Sequence, residues 1–445
     1  MNPSEQISYK NILSIAVPMM IMGLSMTVVN LTDTAFLGQL GPVELGGAGN
    51  AGLTYMLLIM VGMGFSSGVQ IIIARRNGEK LYLSIGTLVH HTLLFMLLYG
   101  VLLQLFLING LPTVLPFITE SDAVASIIER FLNYRSWGLY FNFINVTIMA
   151  LLVGTANTKI LGIVTPIAAV LNIVLDYTLI FGNWGFPALG VEGAAIASNI
   201  AEGASSVLLV LYLIFSYPHQ KYELFSKLKI QLSVYQNILK TASPLMIQNF
   251  VSFFSWFAFF MLIEGLGERE LAASHISRSI YMVLIIPVFG LGDAANSLTG
   301  NLMGENRSDL VLKMVGRVCL LSIGFAVLFQ PIIWFGGMHL LTPFSSDTET
   351  LNLALPVLQV IAFVLFVFGV VIVGFRAVSG TGRTLTALFI EVVVVSFYLM
   401  VTYYLTTKSG IELYEVWYAE FAYFIAFGLL IFGYLWKGDW QSSKV

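Results

Sequence analysis

The sequence predicts an all-α polytopic membrane protein of twelve transmembrane helices in two six-helix bundles. Three observations carry this expectation. Of 445 residues, 58% are apolar and only 10% charged, with a mean hydropathy of +0.87; soluble domains carry roughly 25% charged residues. Twelve apolar runs are each long enough to supply the about 20 residues that a spanning helix needs. The chain also repeats itself at a displacement of 226 residues.

In order, the runs cover residues 11–36, 45–74, 83–108, 124–154, 158–182, 192–215, 237–263, 270–302, 309–336, 351–379, 383–407 and 412–436. They are continuous rather than alternating, unlike the short segments of a transmembrane barrel. The first ten residues are polar, and the first run lacks an A-x-A end, so it reads as an anchoring helix rather than a cleaved signal. A net charge of −3 and a pI near 6.0 leave no basic face for nucleic acid. One cysteine, Cys319, allows neither an internal disulfide nor a cysteine zinc site.

The loops orient the chain. Lys10, Arg75, Arg76, Lys80, Lys159, Lys221, Lys227, Lys229, Lys240, Arg307, Lys313, Arg317, Arg383 and Lys437 gather at one set of helix ends. The opposite loops hold Glu44, Glu120, Asp122, Glu192, Glu268, Glu270, Asp347 and Glu349, with only Arg269 and Lys408 as basic residues. The positive-inside rule then puts both termini in the cytoplasm of a plasma-membrane protein.

The repeat pairs specific residues. Ile12-Leu13-x-x-Ala16-x-Pro18-x-Met20-Ile21 falls on Ile238-Leu239-x-x-Ala242-x-Pro244-x-Met246-Ile247. Leu40-Gly41-x-x-Glu44-Leu45 falls on Leu266-Gly267-x-x-Glu270-Leu271, and Gly78-Glu79 on Gly304-Glu305. Gly154-Thr155-Ala156-Asn157-Thr158 falls on Gly380-Thr381-Gly382-Arg383-Thr384. The expected organisation is an N-lobe at 1–215, a basic linker at 216–236 and a C-lobe at 237–445. Six helices are an even number, so the halves run parallel, as in transporters with an axis along the membrane normal. Each lobe buries its own bundle, so a monomer suffices.

Charges at membrane depth cost several kcal/mol and need a reason. Asp33 lies in the outer part of the first run, Asp176 near the outer end of the fifth, and Ser198 near the outer start of the sixth. Asn172 and Asp176 are i and i+4 and share a helix face, as do Ala194 and Ser198. Two carboxylates, an amide oxygen and a hydroxyl suit a small hard cation such as Na+. The same carboxylates suit a shared proton, because like charges in low dielectric resist double ionisation. Asp33 also reads as an interfacial acid hydrogen-bonded near the outer surface. Glu202, one turn after Ser198, reads as a proton relay or an internal hydrogen-bond partner. Asp293 and Glu391 form a second candidate proton or cation site, or ion pairs with Arg376 or Arg278. At the repeat displacement Asp33, Asn172 and Asp176 map to Phe259, Tyr398 and Thr402, so the C-terminal half lacks that acidic set.

Asn30, Asn142, Asn145, Gln248 and Asn249 are polar groups at membrane depth, read either as substrate contacts or as interhelical hydrogen bonds. The 17 Met and 33 Phe suit a re-packable cavity, and equally ordinary packing and lipid contact. Adjacent His90 and His91 read as packing residues rather than a metal pair, and Pro18 and Pro244 as bending points or static kinks. No Walker A sequence, HExxH pair or GxSxG nucleophile elbow is expected, so the chain reads as no enzyme. Movement of cargo would then draw on an ion gradient or on the cargo's own gradient.

The first 80 residues, the Gly154–Lys159 turn and the matching Arg376–Thr384 segment resemble the MATE (multidrug and toxic compound extrusion) family, within its DinF-like and NorM-like bacterial branches and the MOP flippase superfamily. The resemblance spans essentially the whole chain. It implies a V-shaped pair of lobes, efflux of organic and often cationic compounds, and coupling to Na+ or H+, with no resident cofactor. The family's N-lobe cation site, carried over residue by residue, implies Asp33, Asn172, Asp176, the Ser198 hydroxyl and the Ala194 carbonyl as ligands. Ser198 stands where relatives often have Thr. Ser252 stands where some relatives carry an acid. A lipid-linked oligosaccharide flippase of the same superfamily is the alternative, with Arg135 and Arg278 as candidate contacts to pyrophosphate.

Overall fold

A computed structural model describes residues 6–226 and 230–443; Lys227 and Lys229 of the basic linker lie outside the described residues. The described residues are helical and turn-like, with no strand. Ten helices are long and apolar enough to cross a membrane, twelve if two bent pairs each count as one span. The protein is therefore an all-α polytopic membrane protein, as its composition and runs foretold.

The helices are α1 Tyr9–Leu40, α2 Pro42–Gly78, α3 Tyr82–Leu105, α4 Leu111–Ile118, α5 Asp122–Arg135, α6 Gly138–Gly154, α7 Leu161–Phe181 and α8 Val191–Phe215. They continue with α9 Leu232–Glu264, α10 Glu268–Leu284, α11 Ile286–Gly304, α12 Val311–Leu341, α13 Thr348–Gly380, α14 Thr384–Thr406, α15 Leu413–Val416 and α16 Ala419–Lys437. Long runs of apolar residues leave each backbone to satisfy itself internally, which in lipid selects the helix.

Two expected single helices are bent. The fourth run is α5 followed by α6, turned by 55°, and the eighth is α10 followed by α11, turned by 45°. At the second bend Pro287 occupies the first turn of α11 and has no N–H to continue the ladder of α10. Its repeat mate is Val61, and α2 there runs unbroken for 37 residues. At the first bend Gly138 opens α6 directly against the Arg135 guanidinium and the Asn199 side chain, where no Cβ would fit. The third run also exceeds its expected end at 108. A π-turn at Phe106–Gly110 carries α3 into α4, with Pro112 in the first turn.

The contacts divide the chain into two compact units, Ile21–Ala242, and Ser243–Val445 together with Met1–Met20. The lobes drawn from sequence divide it at the linker; the contacts divide it beside Pro18 and Pro244, and α1 and α9 continue as helices through both prolines.

The backbone of one unit repeats turns of the other. Gly41 and Gly267 precede α2 and α10 with φ of 149° and 153°. Lys80 and Asn306 turn the chain after α2 and α11 at φ 61° and 57°, and Ala156 and Gly382 turn it after α6 and α13 at 55° and 88°. Trp184 and Gly410 are a fourth such pair, at 57° and 72°. All four pairs stand at the displacement read from sequence. Close helix approaches repeat too. A Cβ on Gly154 would meet the Gln70 carbonyl at 2.9 Å, and one on Gly380 would meet the Asn296 carbonyl, the repeat mate, at 2.5 Å.

Candidate functional site

In the Ile21–Ala242 unit, α1, α2, α5, α7 and α8 meet around an apolar cluster of Leu37, Ala48, Ile127, Ile180, Val191 and Ala194. Leu37 is one turn beyond Asp33, and Ile180 one turn beyond Asp176. The cluster therefore brings the α1 acid, the α7 pair and the α8 carbonyl of Ala194 to one junction. The aromatic pair Phe36 and Phe181, edge to face at 5.6 Å between centroids, also ties α1 to α7.

The polar groups inside this junction are unusual in lacking partners. Asn172 and Asp176 are buried, at 2% and 0% exposure. Both oxygens of Asp176, both side-chain polar atoms of Asn172 and Oδ1 of Asp33 are buried with no hydrogen-bond partner among the described residues. The Asp33 and Asp176 carboxyls are close enough to interact electrostatically. Ser198 stands half-buried on α8, one turn after Ala194. Buried polar groups are ordinarily paired, so these five atoms mark the junction as a candidate site.

Glu202 is differently placed. Arg135, at the bend between α5 and α6, grips it with two bonds of 2.5 and 3.0 Å, donates to Asn199 Oδ1 at 2.8 Å, and lies over the Tyr55 ring at 4.3 Å. Arg135 is thus engaged by a carboxylate. It also stands within electrostatic reach of Asp33. Asn145 Nδ2 donates to the Glu202 carbonyl at 3.1 Å, and Asn145 Oδ1 accepts from Ser206 at 2.9 Å, which ties α6 to α8. Asn142 is half-buried with Oδ1 unpartnered, and Asn30 is exposed.

In the other unit Asp293 approaches Arg376 at 3.7 Å. Glu391 is buried and accepts a 2.5 Å bond from Ser252, the position where an acid was looked for on the seventh run. Asp293 and Glu391 thus have separate partners. Gln248 is buried and Asn249 half-buried on α9. The histidines serve architecture: His91 Nε2 accepts the Gln231 N–H at 2.9 Å, and His90 Nε2 donates to the Leu224 carbonyl at 2.6 Å. Contrary to the sequence reading, a GxSxG pattern is present at Gly64-Phe65-Ser66-Ser67-Gly68, but it lies within unbroken α2 rather than at a strand-to-helix turn, and Ser66 donates to the Val146 carbonyl at 2.8 Å.

Sequence reasoning missed one buried acid, Glu420 on α16. Its signal was available: at the repeat displacement it falls on Ala194.

Known proteins were compared with this chain after the geometry. The chain is 27% identical over 377 residues to a probable multidrug resistance protein NorM of Synechocystis, covering 82% of this chain and 80% of that protein. It is 26% identical over 444 residues to the probable multidrug resistance protein NorM of Thermotoga maritima, covering 98% and 94%. Among solved structures, a MOP superfamily transporter from Pyrococcus furiosus superposes with a TM-score of 0.88 at 18% identity, covering 100% of this chain and 99% of that one. An outward-facing multidrug resistance MATE transporter superposes at 0.86 with 19% identity, covering 98% and 97%. The MatE family model matches twice, at residues 18–178 and 244–404, again at the repeat displacement and over well more than half of the sequence. The chain belongs to the MatE family.

Proposed function

We propose that this protein is an ion-coupled antiporter that exports organic, often cationic compounds across the plasma membrane, with Asp33, Asn172 and Asp176 carrying the coupling ion. The observation that carries the reading is the set of buried, unpartnered atoms where α1 and α7 meet. An unpaired charge at membrane depth costs about 2.5–3.5 kcal/mol even on the mildest scale. Two such acids beside an unpartnered amide are expensive as mere packing and inexpensive as a binding site. The adjacency of the two carboxyls supports a proton as the ion, since like charges close together in low dielectric resist double ionisation. Na+ in the same place would draw on Asn172 Oδ1, Ser198 and the Ala194 carbonyl as further hard oxygens.

The relatives described as probable multidrug resistance proteins support a drug-like cargo. Asn30 and Asn142 are the groups of the Ile21–Ala242 unit best placed to contact it, and Gln248 and Asn249 those of the other. Coupling requires that ion and cargo stabilise different states, so that each lowers the affinity for the other. The charge bias of the loops supports cytoplasmic termini, and the engaged side chains of Arg135 and Ser66 support transport rather than catalysis.

The test is efflux of a fluorescent organic cation from proteoliposomes under separately imposed Na+ and pH gradients. Proton-driven efflux is the expected result. Sodium-driven efflux would turn the junction into a metal site, and efflux indifferent to both gradients would overturn the proposal.

A further inference from the structure

The C-terminal repeat keeps a buried acid of its own at the place where the N-terminal repeat has Ala194. Glu420 lies in the first turn of α16 at 4% exposure. Its surroundings are the repeat mates of the N-terminal site. Tyr398, mate of Asn172, donates its hydroxyl to Glu420 Oε1 at 2.6 Å. Phe259, mate of Asp33, stacks on Tyr398 at 5.6 Å and meets Trp417 edge-on at 5.1 Å. Thr402, mate of Asp176, is fully buried, with its hydroxyl turned back onto the Tyr398 carbonyl at 2.9 Å. The same junction of helices is thus acidic in both repeats, with the acid moved from the mates of α1 and α7 to the mate of α8.

A second observation concerns what faces this acid. Tyr281, on α10, is fully buried within electrostatic reach of Glu420, and its hydroxyl has no hydrogen-bond partner among the described residues. Tyr423, on α16 itself, faces both Glu420 and Glu391. Among the described residues, the titratable groups within electrostatic reach of Glu420 are the three tyrosines Tyr281, Tyr398 and Tyr423. The other packed elements bring aromatic groups, Phe368 of α13 against Phe424 and Trp417 after α15. Among the described residues Glu420 forms no ion pair. A carboxylate kept only for structure at membrane depth is ordinarily paired with a cation.

We propose that Glu420 is a proton-carrying site of the C-terminal repeat. In the charged form the carboxylate accepts from Tyr398. On taking a proton from water, Glu420 gains an O–H on its second oxygen and keeps Oε1 as the acceptor of the Tyr398 hydroxyl. No co-reactant is needed. A contribution of this proton to coupling rests on the transport reading above; the titration itself does not.

Infrared difference spectroscopy of the full-length protein in proteoliposomes, between alkaline and acid pH, reads protonated carboxyl groups directly. The expected result is a carboxyl band that is lost in Glu420→Gln, retained in Glu391→Gln and Asp176→Asn, and shifted in Tyr398→Phe. Gln keeps an acceptor for the Tyr398 hydroxyl, so a purely structural role is rescued by Glu420→Gln while proton carriage is not. If Glu420→Gln does not fold, Tyr398→Phe keeps the carboxyl and its shifted band carries the test. A difference spectrum unchanged by both substitutions overturns the proposal. Asp176→Asn transporting normally while the Glu420 band behaves as described would remove the N-terminal reading and leave this one standing.

Discussion

At the scale of single residues, the account turns on which buried polar atoms have partners. Arg135 and Glu202 satisfy one another and also fasten the bend between α5 and α6 to α8. Arg135→Ala leaves Glu202 without its cation. The expected loss is about 3 kcal/mol, the low end for breaking a buried pair because Glu202 keeps some exposure. It is read as a lowered melting temperature in detergent, and an unchanged melt would contradict the pairing. Asp33, Asn172 and Asp176 are the opposite case: Asp176 has no hydrogen-bond partner to lose, so Asp176→Asn is expected to express and fold normally. The three were legible in sequence because acids in apolar runs are rare, and i, i+4 spacing fixes a shared helix face. The Arg135–Glu202 pair was not legible. Its members are 67 residues apart on separate helices, and nothing in the spacing records the bend that aims one at the other. Glu420 stands at the repeat mate of Ala194, not at the mate of an N-terminal acid, so acid-to-acid correspondence between the halves does not point to it.

At the scale of elements, turns and close approaches decide the architecture. Gly380 lets α13 lie against the Asn296 carbonyl of α11, and a backbone atom cannot step aside as a side chain can. Gly380→Ala should destabilise by about 1–3 kcal/mol through overpacking. Gly433→Ala, which meets nothing within 4 Å, serves as the control in the same melting experiment; equal effects would contradict the close approach. The cap of α13 supplies a pH dependence. The Thr350 hydroxyl and the N–H groups of Glu349 and Thr350 donate to Asp347 and hold its carboxyl below the usual range. A carboxyl depressed in the folded state contributes stability that is present above its unfolded pKa and lost as pH falls through the folded value. Asp347→Ala should therefore melt lower than wild type at neutral pH, and the difference should vanish on acidification. A gap that persists in acid would contradict the cap. Helix identity was legible because run length alone specifies a spanning helix. The bend at Ile285 was legible in principle from Pro287, whereas the break after Arg135 contains no proline and depends on tertiary contacts of Gly138.

At the scale of the whole molecule, one displacement recurs in sequence, in four pairs of left-handed turns, in paired close contacts and in the two family-model matches. Two halves built alike carry different acids at the repeated junction: Asp33 and Asp176 in one, Glu420 in the other. The repeat was legible because its prolines and glycines answer backbone demands that other residues meet poorly. The polar content of each junction was only half legible, because acids migrate between helices while the junction stays put. The measurement that tests the central claim most directly is gradient-driven efflux of a fluorescent organic cation by wild type and Asp176→Asn in matched proteoliposomes. The account predicts that wild type responds to an imposed ion gradient and that the variant, equally inserted, does not. Efflux by Asp176→Asn at the wild-type rate under the same gradient would contradict it.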